Sequence, residues 1–165
     1  GRLDKKMFGP PVAVHLNSFM EGRGRPRSGP LDGAGRRTVY QEVRRNFLSP
    51  MMLAFDMPQP LSTFGRRTDS NVPAQALIMM NDPFVVEQAK LWGKRMLAVG
   101  PDDAARVRAA YALTFSREPS DAEHATASAF LTEQAKAHGE AQPGEKAWAD
   151  FCHALLNVKE FMFLN

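Results

Sequence analysis

Helix breakers crowd one end of this chain. Residues 1–70 hold 7 of its 12 prolines and 8 of its 12 glycines. Proline removes a backbone donor, and glycine loses the most conformational freedom on ordering, so neither suits the interior of a helix or a ladder. That crowding excludes a long regular element from most of the N-terminal part and leaves the rest free to be helical. From Gly9 to Gly35 there is no periodic apolar face. Val12-Ala13-Val14 is a candidate short extended piece, and Gly-Arg-Gly-Arg-Pro-Arg at 22–27 is expected to be a mobile loop.

From Thr38 the apolar spacing turns helical. Thr38-Val39-Tyr40-Gln41 matches a capping box, in which the threonine hydroxyl accepts from the glutamine amide and the glutamine reaches back. Val39/Tyr40, Val43 and Phe47 recur at helical spacing, which predicts a helix with Arg44 and Arg45 flanking its stripe. Ser49-Pro50 interrupts it, Met51–Phe55 is a short apolar segment, Asp56–Pro60 is a breaker cluster, and 61–70 is expected to be loop. Asn71 is a candidate N-cap with Pro73 in the first turn, and Asn81 or Asp82 caps the next helix with Pro83 at its start. Phe84, Val85, Gln88, Leu91, Trp92 and Met96 supply that helix's inner face, so Trp92 is expected to be largely buried.

A further helix starts after Asp102 or Asp103 and carries Val107, Tyr111 and Phe115. Ser120-Asp121-Ala122-Glu123 is a second capping box, opening a helix that runs to His138-Gly139. The last helix carries Trp148, Phe151, Cys152, Leu155, Val158 and Met162, a stripe expected to be core. The expected fold is mainly α: a compact bundle of about four to six helices behind a long irregular lead-in rich in proline, glycine and arginine. Residues 1–37 are expected to form the lead-in, packed or partly mobile. Residues 38–165 form the helical domain, with the core bundle at about 71–165.

The charge is modest in sum and uneven in place. Residues 1–70 carry 12 Lys+Arg against 6 Asp+Glu, or +6, and residues 71–165 carry 9 against 12, or −3, which together give the net +3. The guanidinium fork suits carboxylates and phosphates, so the basic half fits an anionic partner. The same arginines also suit a structural role, pairing acidic residues and loop carbonyls. On a helix, Arg44 and Arg45 cannot share a face, so one of them is expected to turn inward onto loop carbonyls and one of Asp32, Asp56, Asp69 or Asp82.

Motifs exclude more than they assign. No phosphate-binding glycine loop, H-E-x-x-H or G-x-S-x-G is present. The lone Cys152 excludes an internal disulfide, and Ala149 stands where the first cysteine of C-x-x-C-H would precede Cys152-His153, so no haem or other cofactor is expected in this chain. His153, on the apolar face, is expected to be a satisfied core histidine. No metal site is expected. No apolar run approaches the roughly 18 residues of a membrane span. Aromatic residues do not interleave with Arg23–Arg27, so nucleic acid is not the expected partner.

The string GPLDGAGRRTVYQEVRRNFLSPMMLAFDMPQPLSTFGRRTDSNVPAQALIMMNDPFVVEQA, with FSREPSDAEHATASAFL and WADFCHALLNVKEFMFLN, resembles the C-terminal domain of unknown function of large planctomycete cytochrome c-containing proteins. The opening GRLDKKMFGPPV resembles the middle of that domain, so a C-terminal fragment is expected, with haem held upstream. The resemblance implies export to the periplasm or beyond and a link to polysaccharide utilisation. It brings no catalytic residues with it. The matching polar residues mark a candidate anion- or partner-binding set: Arg36, Arg37, Arg44, Arg45, Arg66, Arg67, Asp32, Asp56, Asn71 and Gln75. The expected function is a non-catalytic interaction or scaffold module, its partner the upstream cytochrome-containing part or an anionic polysaccharide. The rival is a polysaccharide hydrolase or lyase using loop aspartates, with arginines holding an anionic sugar.

Overall fold

A computed structural model describes residues 1–60, 72–100 and 102–163. Among them the protein is mainly helical, with seven α-helices and no strand beyond isolated bridges. The chain divides into two compact units, Gly1–Ile78 and Met79–Asn165.

In the first unit, pairing across the lead-in replaces the helix expected from Thr38. Thr38–Tyr40 makes one 3-10 turn, and Gln41 is already extended at φ −74°, ψ 135°. The Tyr40 carbonyl, which a helix would give to the residue-44 amide, accepts from the Val12 N–H at 2.8 Å. The Val12 carbonyl accepts from Glu42 N–H at 2.8 Å. A non-local ladder has thus outcompeted the local capping pattern. Val14, Leu16 and Phe47 form a small core with Met20 packed on it. Gly29 lies so close to the Ala13 carbonyl that a Cβ there would stand 1.9 Å from its oxygen. Ser49 caps the one-turn helix α1, Pro50–Ala54, which overlaps the short apolar segment Met51–Phe55.

Helix α2, Val72–Asn81, carries Pro73 in its first turn. The second unit is the helical bundle: α3 Pro83–Leu97, α4 Asp103–Phe115, α5 Asp121–Ala137, α6 Glu145–Leu156 and α7 Lys159–Met162. The starts follow local chemistry. Asp82 accepts from Phe84 N–H, Asp102 from Ala105 N–H, and Ser120 with Glu123 completes the capping box on α5. Met96, Val107, Ala110, Leu131, Trp148, Phe151, Cys152 and Leu155 fill the core. Helices α3 and α6 make the most extensive contact, at Gly93.

Two core expectations need correcting. Trp92 packs at the edge of the core and is only partly buried. The stripe of the last helix stops at Leu155: the chain turns extended at Val158, which caps α7 and is 40% exposed. Cys152 is fully buried, and burial pushes its thiol up to about 12, which leaves it protonated at neutral pH. His153 Nε2 donates to the Met79 carbonyl at 3.0 Å, so the ring is a satisfied structural group.

Candidate functional site

The arginines expected to act together are used in different ways. Arg36 is the inward one. Its side chain is 12% exposed, its Nη2 donates to the Phe8 carbonyl at 2.8 Å, and its Cζ sits 4.0 Å from the Tyr40 ring centroid. Asp4 lies 3.9 Å from its Nε. The inward arginine expected at Arg44 or Arg45 is not found there; Arg36 is the one that turns inward, onto the Phe8 carbonyl and the Tyr40 ring, and its Nε has no hydrogen-bond partner among the described residues. Arg44 and Arg45 are both exposed because their segment is not helical, and Arg44 pairs with Glu42 at 2.8 Å. Arg37 is exposed and makes no side-chain cap on the turn it precedes.

Asp32 accepts from Ala34 N–H and pairs with Arg2 at 2.9 Å. Asp56 is half-buried with a left-handed φ of 60°. Gln75 is buried at 3% exposure, and its Oε1 has no hydrogen-bond partner among the described residues. Arg66, Arg67, Asp69 and Asn71 lie outside the described residues. The structure thus brings Asp32 and Arg36 to the two ends of one 3-10 turn, Gly33–Gly35, and gives both structural contacts.

What the sequence did not single out is Phe8. Arg36 and Tyr40 fix its backbone from both sides: Arg36 holds the carbonyl, and the Tyr40 hydroxyl accepts from the Phe8 N–H at 2.9 Å. Phe8 has φ 65°, a region bulky residues rarely enter, and its ring is 77% exposed. The clamp holds a strained backbone, and the strained residue displays its side chain to solvent. Val39, in the turn beside Tyr40, is also 77% exposed. Only the Gly9-Pro10-Pro11 run beside Phe8 hinted at an unusual backbone, because the clamp comes from residues about thirty positions away.

A second cluster lies in the bundle. Arg117 donates to Glu160 through Nε and Nη2, both at 2.8 Å, and to Glu123 through Nη1 at 2.9 Å and Nη2 at 2.7 Å. Its remaining N–H goes to the Glu118 carbonyl at 3.1 Å. All five donors of the fork are engaged, so the cluster is a lock joining the starts of α5 and α7 and leaves no donor for a ligand. Arg117 and the Ser120 amide and hydroxyl hold Glu123 down at about 2, and Arg117 lowers Glu160 as well. Lowered carboxyls stabilise the fold above their ordinary value of 4.5 and lose that contribution as pH falls through the folded value. Melting temperature is therefore expected to fall as pH drops from 4.5 toward 2, and Arg117→Met is expected to flatten that part of the profile. Identical slopes for both proteins would remove the lock's role.

Among the described residues no group of three His, Cys, Asp or Glu could hold a metal ion, and no helix is long and apolar enough to cross a membrane. No curated protein and no solved structure matches this chain. One family does, PSD1, protein of unknown function (DUF1553), over residues 1–131. That span covers all of the first unit and the bundle as far as α5, and the chain belongs to this family.

Proposed function

We propose that this chain is a non-catalytic interaction module, the C-terminal part of an exported planctomycete-type protein with a cytochrome c domain upstream. The observation that carries the reading is Phe8. A large aromatic residue, 77% exposed on a strained, doubly clamped backbone, buries little of its surface in the fold. Such strain persists only where surrounding structure enforces it, and it concentrates where a protein meets a partner. Haem belongs to the upstream domain in this reading. The partner is that upstream part, and anionic polysaccharide is the ligand class that links the protein to polysaccharide utilisation. Of the loop aspartates offered for hydrolysis (Asp32, Asp56, Asp69 and Asp82), Asp32 and Asp82 each commit an oxygen to a backbone cap, which supports the reading.

The test is retention of the separately produced upstream part on this chain. Wild type is expected to hold it, and Phe8→Asp to weaken retention by about tenfold, the loss of one good contact, with melting temperature unchanged. Retention indifferent to Phe8→Asp would end the reading of this surface. A parent gene with no C-x-x-C-H upstream would end the cytochrome part of it.

A further inference from the structure

The surface around Phe8 is specific enough to name the chemistry of what it binds. Two runs of chain lie side by side, 4–12 and 36–41. They are pinned at one end by the Asp4–Arg36 bridge and at the other by the Val12–Gln41 bridge. Met7 and Phe8 fall midway along the first run and Val39 midway along the second, with exposures of 64%, 77% and 77%. Between the pins the runs carry Lys5, Lys6, Arg36 and Arg37 against one acid, Asp4. Asp4 is engaged locally though its side chain is 41% exposed: its Oδ1 accepts from Lys6 N–H at 2.8 Å, and its Oδ2 lies 3.9 Å from Arg36 Nε. Lys5, Lys6 and Arg37 are exposed and make no ion pair with any described residue. The whole unit, Gly1–Ile78, carries +6, because residues 71–78 add no charge to those before them.

We propose that this platform binds an acidic linear segment of a protein, with an apolar side chain of the segment on Phe8 and Val39 and its flanking carboxylates on Lys5, Lys6 and Arg37. The proposal names the partner of the interaction module and rests on that reading. Charge complementarity selects an anion, and the +6 field speeds its encounter. The apolar centre selects among anions. Met7 and Val39 offer no hydrogen bond to the hydroxyls and sulfates of a sugar chain and cover an apolar side chain well, so at this surface the protein partner of the module is favoured over the polysaccharide. An exposed lysine–carboxylate pair contributes little alone, so the apolar contact supplies affinity and the lysines supply choice. The strain at Phe8 fits this use, since it fixes the ring before the partner arrives and removes that ordering cost from binding.

The experiment is selection of random dodecapeptides displayed on phage against the full chain. The expected consensus places an aromatic residue or leucine between acidic residues. The synthetic consensus peptide is then titrated by fluorescence anisotropy. Lys5→Glu with Lys6→Glu is expected to weaken it by about tenfold or more, with an affinity that falls as salt rises. Phe8→Gly is the sharper variant, because glycine takes φ 65° without strain. It is expected to weaken the peptide about tenfold while melting temperature holds or rises. No enrichment, a neutral or basic consensus, or binding indifferent to Phe8→Gly overturns the proposal. Heparin is the parallel probe. Retention on heparin without peptide enrichment overturns the peptide and leaves an interaction module standing. Loss of the upstream part, heparin and peptides together takes the module reading down as well.

Discussion

Gly93→Ala is expected to lower the melting temperature of the bundle by about 10 °C, a larger effect than one methyl group usually has. The cause is the crossing of α3 and α6. A Cβ at Gly93 would stand 2.6 Å from the Ala149 nitrogen, 2.8 Å from the Trp148 carbonyl carbon and 2.9 Å from the Ala149 Cα. All three are backbone atoms of a helix, so no side-chain rotation relieves the contact. The helices must move apart, and α6 carries Trp148, Phe151, Cys152 and Leu155 into the core. Overpacking of this kind costs about 1–3 kcal/mol, and the rigid backbone on both sides puts this case at the upper end. Helix propensity works the other way, since alanine favours a helix over glycine by about 1 kcal/mol. A fall in stability would therefore show packing overruling propensity. Gly139→Ala is the control. Its φ is 72° and nothing lies within 4 Å of its Cβ, so only backbone strain of about 1 kcal/mol is expected. Thermal melts followed by far-UV circular dichroism compare the two. Equal melting temperatures for both variants would mean that the α3–α6 contact is loose.

The contrast between Thr38 and Ser120 explains which parts of this fold were legible in the sequence. Ser120 and Glu123 are three residues apart, and both halves of their capping box form. Asp82 and Asp102 reach two and three residues ahead, and their helices also start where expected. Such caps are decided within one turn of chain. Thr38 has the same local pattern, but Val12 takes the carbonyl that a helix there would need. Phe47 is still buried, though against Val14 and Leu16 and with no helix behind it. Val39 and Val43 of the same stripe are exposed, so of that periodicity Phe47 alone is buried, and in no helix.

The site was less legible for the same reason. Arg117 reaches Glu160 across 43 positions, and Arg36 reaches Phe8 across 28. Composition shows that arginines are abundant but not which carboxylate or carbonyl each one finds. Arg36 and Asp32, both in the candidate binding set, make structural contacts, Arg36 to the Phe8 carbonyl and Asp32 to the Ala34 N–H. Phe8, outside the candidate set, is what those contacts display.

Arg36→Ala is expected to destabilise the first unit by about 3 kcal/mol and to abolish whatever binding depends on Phe8. The magnitude comes from two contacts. A hydrogen bond from a charged donor contributes about 1.5–3 kcal/mol, and here it satisfies the Phe8 carbonyl at 2.8 Å. A guanidinium stacked on an aromatic ring contributes about 0.5–1 kcal/mol when exposed and about 2 when desolvated, and Arg36 is 12% exposed at 4.0 Å from Tyr40. The Asp4 carboxylate at 3.9 Å is too far for a hydrogen bond and adds little. Without the guanidinium, Phe8 keeps only the Tyr40 hydroxyl, and a bulky residue at φ 65° relaxes to an ordinary backbone conformation. Arg36→Lys is expected to restore only part of the stability, because an ammonium cannot stack flat on Tyr40 while reaching the carbonyl. Arg37→Ala, one residue on and exposed, is expected to leave the melting temperature unchanged and to weaken only binding. Arg36 then acts as a positioning residue and Arg37 as a contact. The two roles separate in a plot of melting temperature against affinity: Arg36→Ala moves along both axes and Arg37→Ala along one. If Arg36→Ala left the melting temperature untouched, the clamp would not hold the loop and the exposure of Phe8 would need another cause.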